Sequence, residues 1–133
     1  ASSDGDVSGY QGNKDRWVVK LDNAGVIQWQ KSLGGTSEEE FRYIIQTSDG
    51  GYACSGWSYS NDGDVSGQHG NTDFWVIKLT SGGNKIWTRC FGGSDQESAF
   101  AISSKSNNHF LVSGYSKSSD GEKKTNLYNF LFT

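Results

Sequence analysis

Short stretches in which apolar and polar residues alternate, each closed off by Gly, Asp or Asn, run through most of this chain. In its middle part, residues 41–46, 52–59, 74–79 and 85–91 are rich in β-branched and aromatic side chains. They alternate at the period of two that puts successive side chains on opposite faces of a strand. Between them lie Ser48-Asp49-Gly50-Gly51, a long loop over 61–72, and Thr80-Ser81-Gly82-Gly83, all of which carry turn chemistry. Trp75, Ile77 and Leu79 fall on one face of the third stretch, Val76 and Lys78 on the other. The expected product is a four-stranded antiparallel meander. Two more stretches within 17–33 and three within 99–132 bring the expected total to nine strands.

The chain also matches itself. Shifted by 58 residues, positions 2–64 lie over 60–122 without a gap, with 27 identities in 63 positions. Asp4-Gly5-Asp6-Val7-Ser8-Gly9 falls on Asp62-Gly63-Asp64-Val65-Ser66-Gly67, Trp17-Val18-Val19-Lys20-Leu21 on Trp75-Val76-Ile77-Lys78-Leu79, and Trp29 on Trp87. A third unit opens at Ser118-Ser119-Asp120-Gly121 and degrades into Glu122-Lys123-Lys124, with 128–132 standing where the Trp-Val-Val-Lys-Leu strand stood. Four strands repeated at this period are the pattern of propeller blades. The expectation is therefore an all-β fold of four-stranded antiparallel β-propeller blades, about two and a quarter repeats in one domain over 1–133. Residues 1–40 would form a partial blade, 41–98 a full one, and 99–133 a partial, diverged one. A β-sandwich is the alternative, although it does not call for an ungapped repeat.

Composition narrows the function classes. There are 18 Gly, no Pro and no Met among 133 residues, a turn-rich β composition that argues against a helix bundle. The net charge is -3 and the bases are scattered, so no basic stripe is offered to a nucleic acid. No apolar run reaches the length of a membrane span. The Ala1-Ser2-Ser3 start has neither Met nor a signal h-region, so the chain is expected to be mature, trimmed or a fragment. Cys54 and Cys90 are unit-specific, aligning with Val112 and Ser32; two cysteines make no disulfide framework or zinc site, and both read as small packing residues.

The run of Asp-Gly-Asp-Val-Ser-Gly, Asp-Phe-Trp-Val-Ile-Lys-Leu, Trp87 and Phe91-Gly92-Gly93, with Thr47-Ser48-Asp49-Gly50-Gly51-Tyr52 between units, resembles tandem repeats of large secreted and surface-attached bacterial proteins. Those arrays look like β-propellers. The resemblance covers the chain up to Gly121 and implies an extracellular context, secreted or at the cell surface, with a binding or adhesive role. Residues 47–51 also loosely resemble the Asp-box turn of sialidase-type propellers, but Cys54 stands where that motif has an aromatic. The turn is read as structural.

Two loops carry recognisable chemistry. Asp62, Asp64, Ser66 and Asp73, with Gly67 between, repeat the spacing of Asp4, Asp6, Ser8 and Asp15 with Gly9. Alternating oxygens, a turn glycine and a closing carboxylate resemble an EF-hand-type calcium loop. The closing residue is Asp rather than Glu, and strands rather than helices flank the loop. The competing reading is a run of tight turns held by Asp side chains. The third copy, with Lys124 in place of the serine, is expected to bind no ion.

The remaining candidates divide into packing and contact. Trp17 with Trp75 and Trp29 with Trp87 recur in register, as packing between blades requires. Trp57, its counterpart Tyr115, and Tyr10 and Tyr59 beside the long loops are the candidates for contact with a ligand, a glycan being the class that such aromatics suit. Glu38-Glu39-Glu40 and Asp95-Gln96-Glu97 read as solvated acidic loops. His69 and His109 have no repeat counterpart, and no nucleophile constellation is present. The expected function is a non-enzymatic extracellular binding or adhesion module. Its expected partners are other copies of itself or further blades, with a glycan as candidate ligand and calcium as candidate cofactor. A structural spacer or filament subunit is the alternative, and a fragment of a glycoside-acting enzyme a third reading.

Overall fold

The computed structural model describes residues 5–7, 9, 14–105, 109–121 and, as backbone, 129–132. Nine strands are present among them: β1 (Arg16–Leu21), β2 (Ile27–Leu33), β3 (Glu39–Gln46), β4 (Tyr52–Ser58), β5 (Asp73–Leu79), β6 (Lys85–Phe91), β7 (Glu97–Ser104), β8 (Phe110–Ser116) and β9 (Asn129–Phe132). They form three antiparallel sheets in chain order, β1-β2, β3-β4-β5-β6 and β7-β8-β9. The fold is all-β, and no closed ring forms among the described strands.

Local chemistry sets the strand boundaries. The β1–β2, β3–β4 and β5–β6 turns each carry a glycine at positive φ, Gly25 at 80°, Gly50 at 79° and Gly83 at 79°, a conformation that costs glycine nothing. Asp22 and Asp49 brace two of these turns by accepting backbone N–H bonds, from Ala24 and Val26 in the first and from Gly51 in the second. Asp49 also takes the buried Lys78 ammonium at 3.0 Å. Hydrogen bonds from Thr47, Gly51 and Lys78 hold the Asp49 carboxyl well below the usual carboxylate range.

Alternation along β5 then builds the core on both faces of the middle sheet. Trp75, Ile77 and Leu79 join Cys54 and Cys90 on one face and pack with Val18 and Leu33 of the first sheet. Phe74 and Val76 join Ala53 on the other and pack with Ala99, Ile102, Phe110 and Val112 of the third. Each large side chain so buried contributes about 1.5–3 kcal/mol. Both cysteines are free and buried, and burial pushes the Cys54 thiol up to about 12. The repeat reappears as geometry: Trp29 meets Tyr52 edge-on at 5.5 Å, and Trp87 meets Phe110 at 6.0 Å. Trp29, Trp75 and Trp87 are inter-sheet packing residues. Trp17 is 45% exposed, since no sheet among the described residues covers its face.

Candidate functional site

Two structures at the sheet junctions hold most of the polar side chains that the fold places with care. The first is a repeated joint. Where the chain turns from β2 into β3, Asp62 accepts both the backbone N–H and the hydroxyl of Thr36 at 2.8 Å. The Ser60 hydroxyl takes Ser37 N–H at 2.9 Å, and Glu39 takes Gly35 N–H at 3.0 Å and the Ser58 hydroxyl at 3.0 Å. Fifty-eight residues on, Asp120 accepts Ser94 N–H at 2.8 Å and Ser118 accepts Asp95 N–H at 2.9 Å. There Glu97 takes Gly93 N–H, the Ser116 hydroxyl and Ser118 N–H. A Cβ on Gly35 would lie 2.5 Å from Ser60 Cβ, and one on Gly93 2.6 Å from Ser118 Cβ, so the joint closes only over glycine.

Glu39 and Glu97 correct the expectation of solvated acidic loops, since both are fully buried. Desolvation raises the Glu97 pKa, but the hydrogen bonds from Ser118, Ser116 and Gly93 outweigh it and leave the group below its ordinary value. The sequence signal was available in the identity of Glu39 with Glu97 and of Ser58 with Ser116 at the 58-residue offset. Charge runs on either side concealed it.

The loop acids have specific partners. Asp62 is pinned to Thr36, which lowers its pKa; Asp64 holds Lys85 Nζ at 2.8 Å; Ser66 offers its carbonyl to Cys90 N–H at 3.2 Å. Asp73 is fully buried at the start of β5, where its Oδ2 accepts the backbone N–H of His69 at 2.9 Å and faces His69 Nδ1 at 2.8 Å. Its Oδ1 is buried without a hydrogen-bond partner. Desolvation raises the Asp73 pKa, the charge of Glu97 adds to the rise, and the His69 bonds oppose it. A Cβ on Gly92 would lie 2.8 Å from Asp73 Oδ1 and closer still to Glu97 Oε2; at Gly34 the corresponding groups are Asp15 and Glu39. Opposite pKa shifts in neighbouring carboxyls are what acid–base chemistry uses; here both side chains are fully buried. Asp6 is exposed, while Asp4 and Ser8 lie outside the described residues. Among the described residues, no three carboxylate, imidazole or thiol side chains converge on a point that could hold a metal ion.

The second structure is a cleft of about 220 Å³ at one end of the second junction. Trp57 at the end of β4, Tyr59 just beyond it and Tyr115 at the end of β8 line it, together with Arg42 of β3. Thr72, Gln96 and Ser98 form its remaining wall, around the parallel bridge between Thr72 and Gln96. Trp57 and Tyr59 stand at right angles, 5.4 Å apart. Three of the four aromatics expected to contact a ligand therefore meet at one place; Tyr10 lies outside the described residues.

Arg42, Thr72, Gln96 and Ser98 were not foreseen. Arg42 reaches the cleft because β3 bulges between Phe41 and Tyr43, and β7 bulges at the matching place between Ala99 and Ala101. Such a bulge re-aims one side chain, and the two bulged residues meet, the Arg42 guanidinium lying 5.2 Å from the centre of the Phe100 ring. Gly56 and Gly114 face these bulges so closely that a Cβ would strike the Glu40 and Ser98 carbonyls. That conserved geometry across the repeat, a glycine opposite each bulge, was the readable sign.

No protein-family model matches the chain. It is 32% identical over 122 residues to Regulatory protein FlaEY of Caulobacter vibrioides, an alignment that takes in 85% of this chain. The chain spans only 13% of that much longer protein.

Proposed function

We propose that this chain is a stretch of a β-propeller built from 58-residue repeats, acting outside the cell as a non-enzymatic binding or adhesion module. The observation that carries the propeller reading is a contrast between equivalent residues. Ile102 is 6% exposed beneath the middle sheet, whereas its counterpart Ile44 is 50% exposed; Leu79 is fully buried, whereas Leu21 is 53% exposed. Ile44 and Leu21 line an open groove with Val18, Val19 and Tyr52, beside the edge of β1 that pairs with no other strand among the described residues. Side chains suited to burial, left open along the groove between the first and middle sheets, support further strands and sheets of the same kind stacking there, and a ring needs at least about four blades. The partners in this reading are further blades or other copies of the chain.

In this reading the Asp-rich loops serve as turn locks rather than calcium cups, because Asp62, Asp64 and Asp73 already hold Thr36, Lys85 and His69. The binding role rests on the aromatic cleft at the second junction. The match to a short part of a long protein from Caulobacter vibrioides fits a module carried inside a larger chain. The same open faces also favour the spacer or filament reading, in which stacking is itself the function.

Light scattering at micromolar concentration tests the assembly, and retention on insoluble polysaccharides and whole cells tests the binding. Association with retention is expected. Association without retention on any surface would leave the spacer, and a well-folded monomer that is not retained would remove both.

A further inference from the structure

We infer that the cleft between the second and third sheets is a subsite for one uncharged pyranose ring of an oligosaccharide. This rests on the binding-module reading and adds the ligand class to it. Sugar rings present C–H faces to aromatic rings and hydroxyls to neutral polar groups along their edges, and small-molecule sites combine a few such polar groups with aromatic walls. The cleft offers this combination: Trp57, half-buried, and Tyr59, 42% exposed, form one corner, with Tyr115 on the neighbouring sheet. Gln96 supplies an amide whose Oε1 accepts the Lys117 ammonium at 2.8 Å, which leaves its NH2 to a ligand. Ser98, only 4% exposed, closes the wall beside it.

Charge selects the kind of sugar. None of the lining residues is a carboxylate, so the cleft brings no acid–base pair to a glycosidic bond. The guanidinium of Arg42 is already engaged, 2.9 Å from Glu40 Oε1 and over the Phe100 ring, so its charge is compensated rather than held out for an anion. A neutral ring is favoured over a uronic acid. At the first junction Lys14 and Glu38 occupy the positions of Thr72 and Gln96 and close on each other as an ion pair at 3.0 Å.

The test is calorimetric titration of the full chain with cellotriose, mannotriose, chitotriose and trigalacturonate. At least one neutral trisaccharide is expected to bind saturably, in the millimolar range or tighter. Trp57→Ala and Gln96→Ala should each weaken it about tenfold or more, roughly 1.4 kcal/mol, while Trp17→Ala on the uncovered first sheet leaves it unchanged. Gln96→Ala guards against loss of fold in the tryptophan variant, which circular dichroism checks. No saturable binding of any neutral trisaccharide, binding indifferent to both cleft variants, or a preference for trigalacturonate would each overturn the assignment. Polysaccharide or cell retention that survives in Trp57→Ala would overturn the cleft alone and leave the binding module standing.

Discussion

Between β2 and β3 the chain turns through Gly34-Gly35 under Glu39, Ser60 and Asp62; between β6 and β7 it turns through Gly92-Gly93 under Glu97, Ser118 and Asp120. The donors, acceptors and distances are nearly the same, so the two joints are interchangeable as mechanical parts. The rims above them differ. An exposed ion pair, Lys14 with Glu38, closes the first, and a cleft lined by three aromatics, Arg42 and no carboxylate opens at the second. Exposed ion pairs contribute little to stability, so the difference between the rims costs the fold almost nothing. A repeat whose stability resides in the buried joint leaves its rim free to acquire a ligand.

The sharpest way to separate the units is to remove equivalent tryptophans. Trp75→Ala should cost about 3–5 kcal/mol, since the side chain is fully buried and stacks on Phe41 at 4.4 Å. Trp17→Ala should cost about 1 kcal/mol or less. Denaturant titration of both variants decides it, and equal costs would mean that a further sheet or another copy covers Trp17 in solution.

The joints themselves are probed by truncating their glutamates. Glu97→Ala strands two buried donors and one half-buried donor and should cost about 3 kcal/mol; Glu39→Ala strands two buried donors and should cost about 2 kcal/mol. Losses below about 1 kcal/mol in both would show that water replaces the carboxylates and that the joint is weaker than its geometry indicates.

The pH dependence carries opposite signs at neighbouring groups. The folded-state pKa of Asp73 is raised, so its ionisation removes stability as pH climbs from the unfolded value of about 4 through the folded one. The folded-state pKa of Glu97 is lowered, so its contribution is present above the unfolded value and is lost as pH falls through the folded one. Asp73→Asn should therefore stabilise the chain at neutral pH, by about 1 kcal/mol if the amide satisfies the unpartnered position at Oδ1. The acid-side loss due to Glu97 should remain. Melting curves from pH 3 to 8 would expose the reverse pattern if the assignments are exchanged.

The smallest expected effect is that of calcium. Asp62 and Asp120 both serve as turn locks, so melting curves with calcium and with chelator should superimpose. A stabilisation by calcium that Asp64→Ala abolishes would mean that the ion displaces Lys85 and that the first joint, unlike the second, is metal-linked.

Alternation and turn chemistry made all nine strands legible in the amino-acid sequence, along with the two faces of β5 and the 58-residue period, because these depend on neighbours a few residues apart. The aromatic positions Trp57, Tyr59 and Tyr115 were legible too, as residues beside long loops. The sequence could not show that Trp17 is open while the identical Trp75 is sealed, because exposure depends on which sheet lies alongside. Nor could it show that Glu39 and Glu97 are interior, since their donors at Ser58 and Ser116 lie 19 residues away and a buried carboxylate is affordable only once those donors arrive. The cleft belongs to the same class: Arg42 enters it through a register shift in β3, and Gln96 and Ser98 face Trp57 only because two sheets stack. Local spacing fixed the strands, while burial and convergence were decided by the tertiary structure, where groups far apart in the chain share one low-dielectric space.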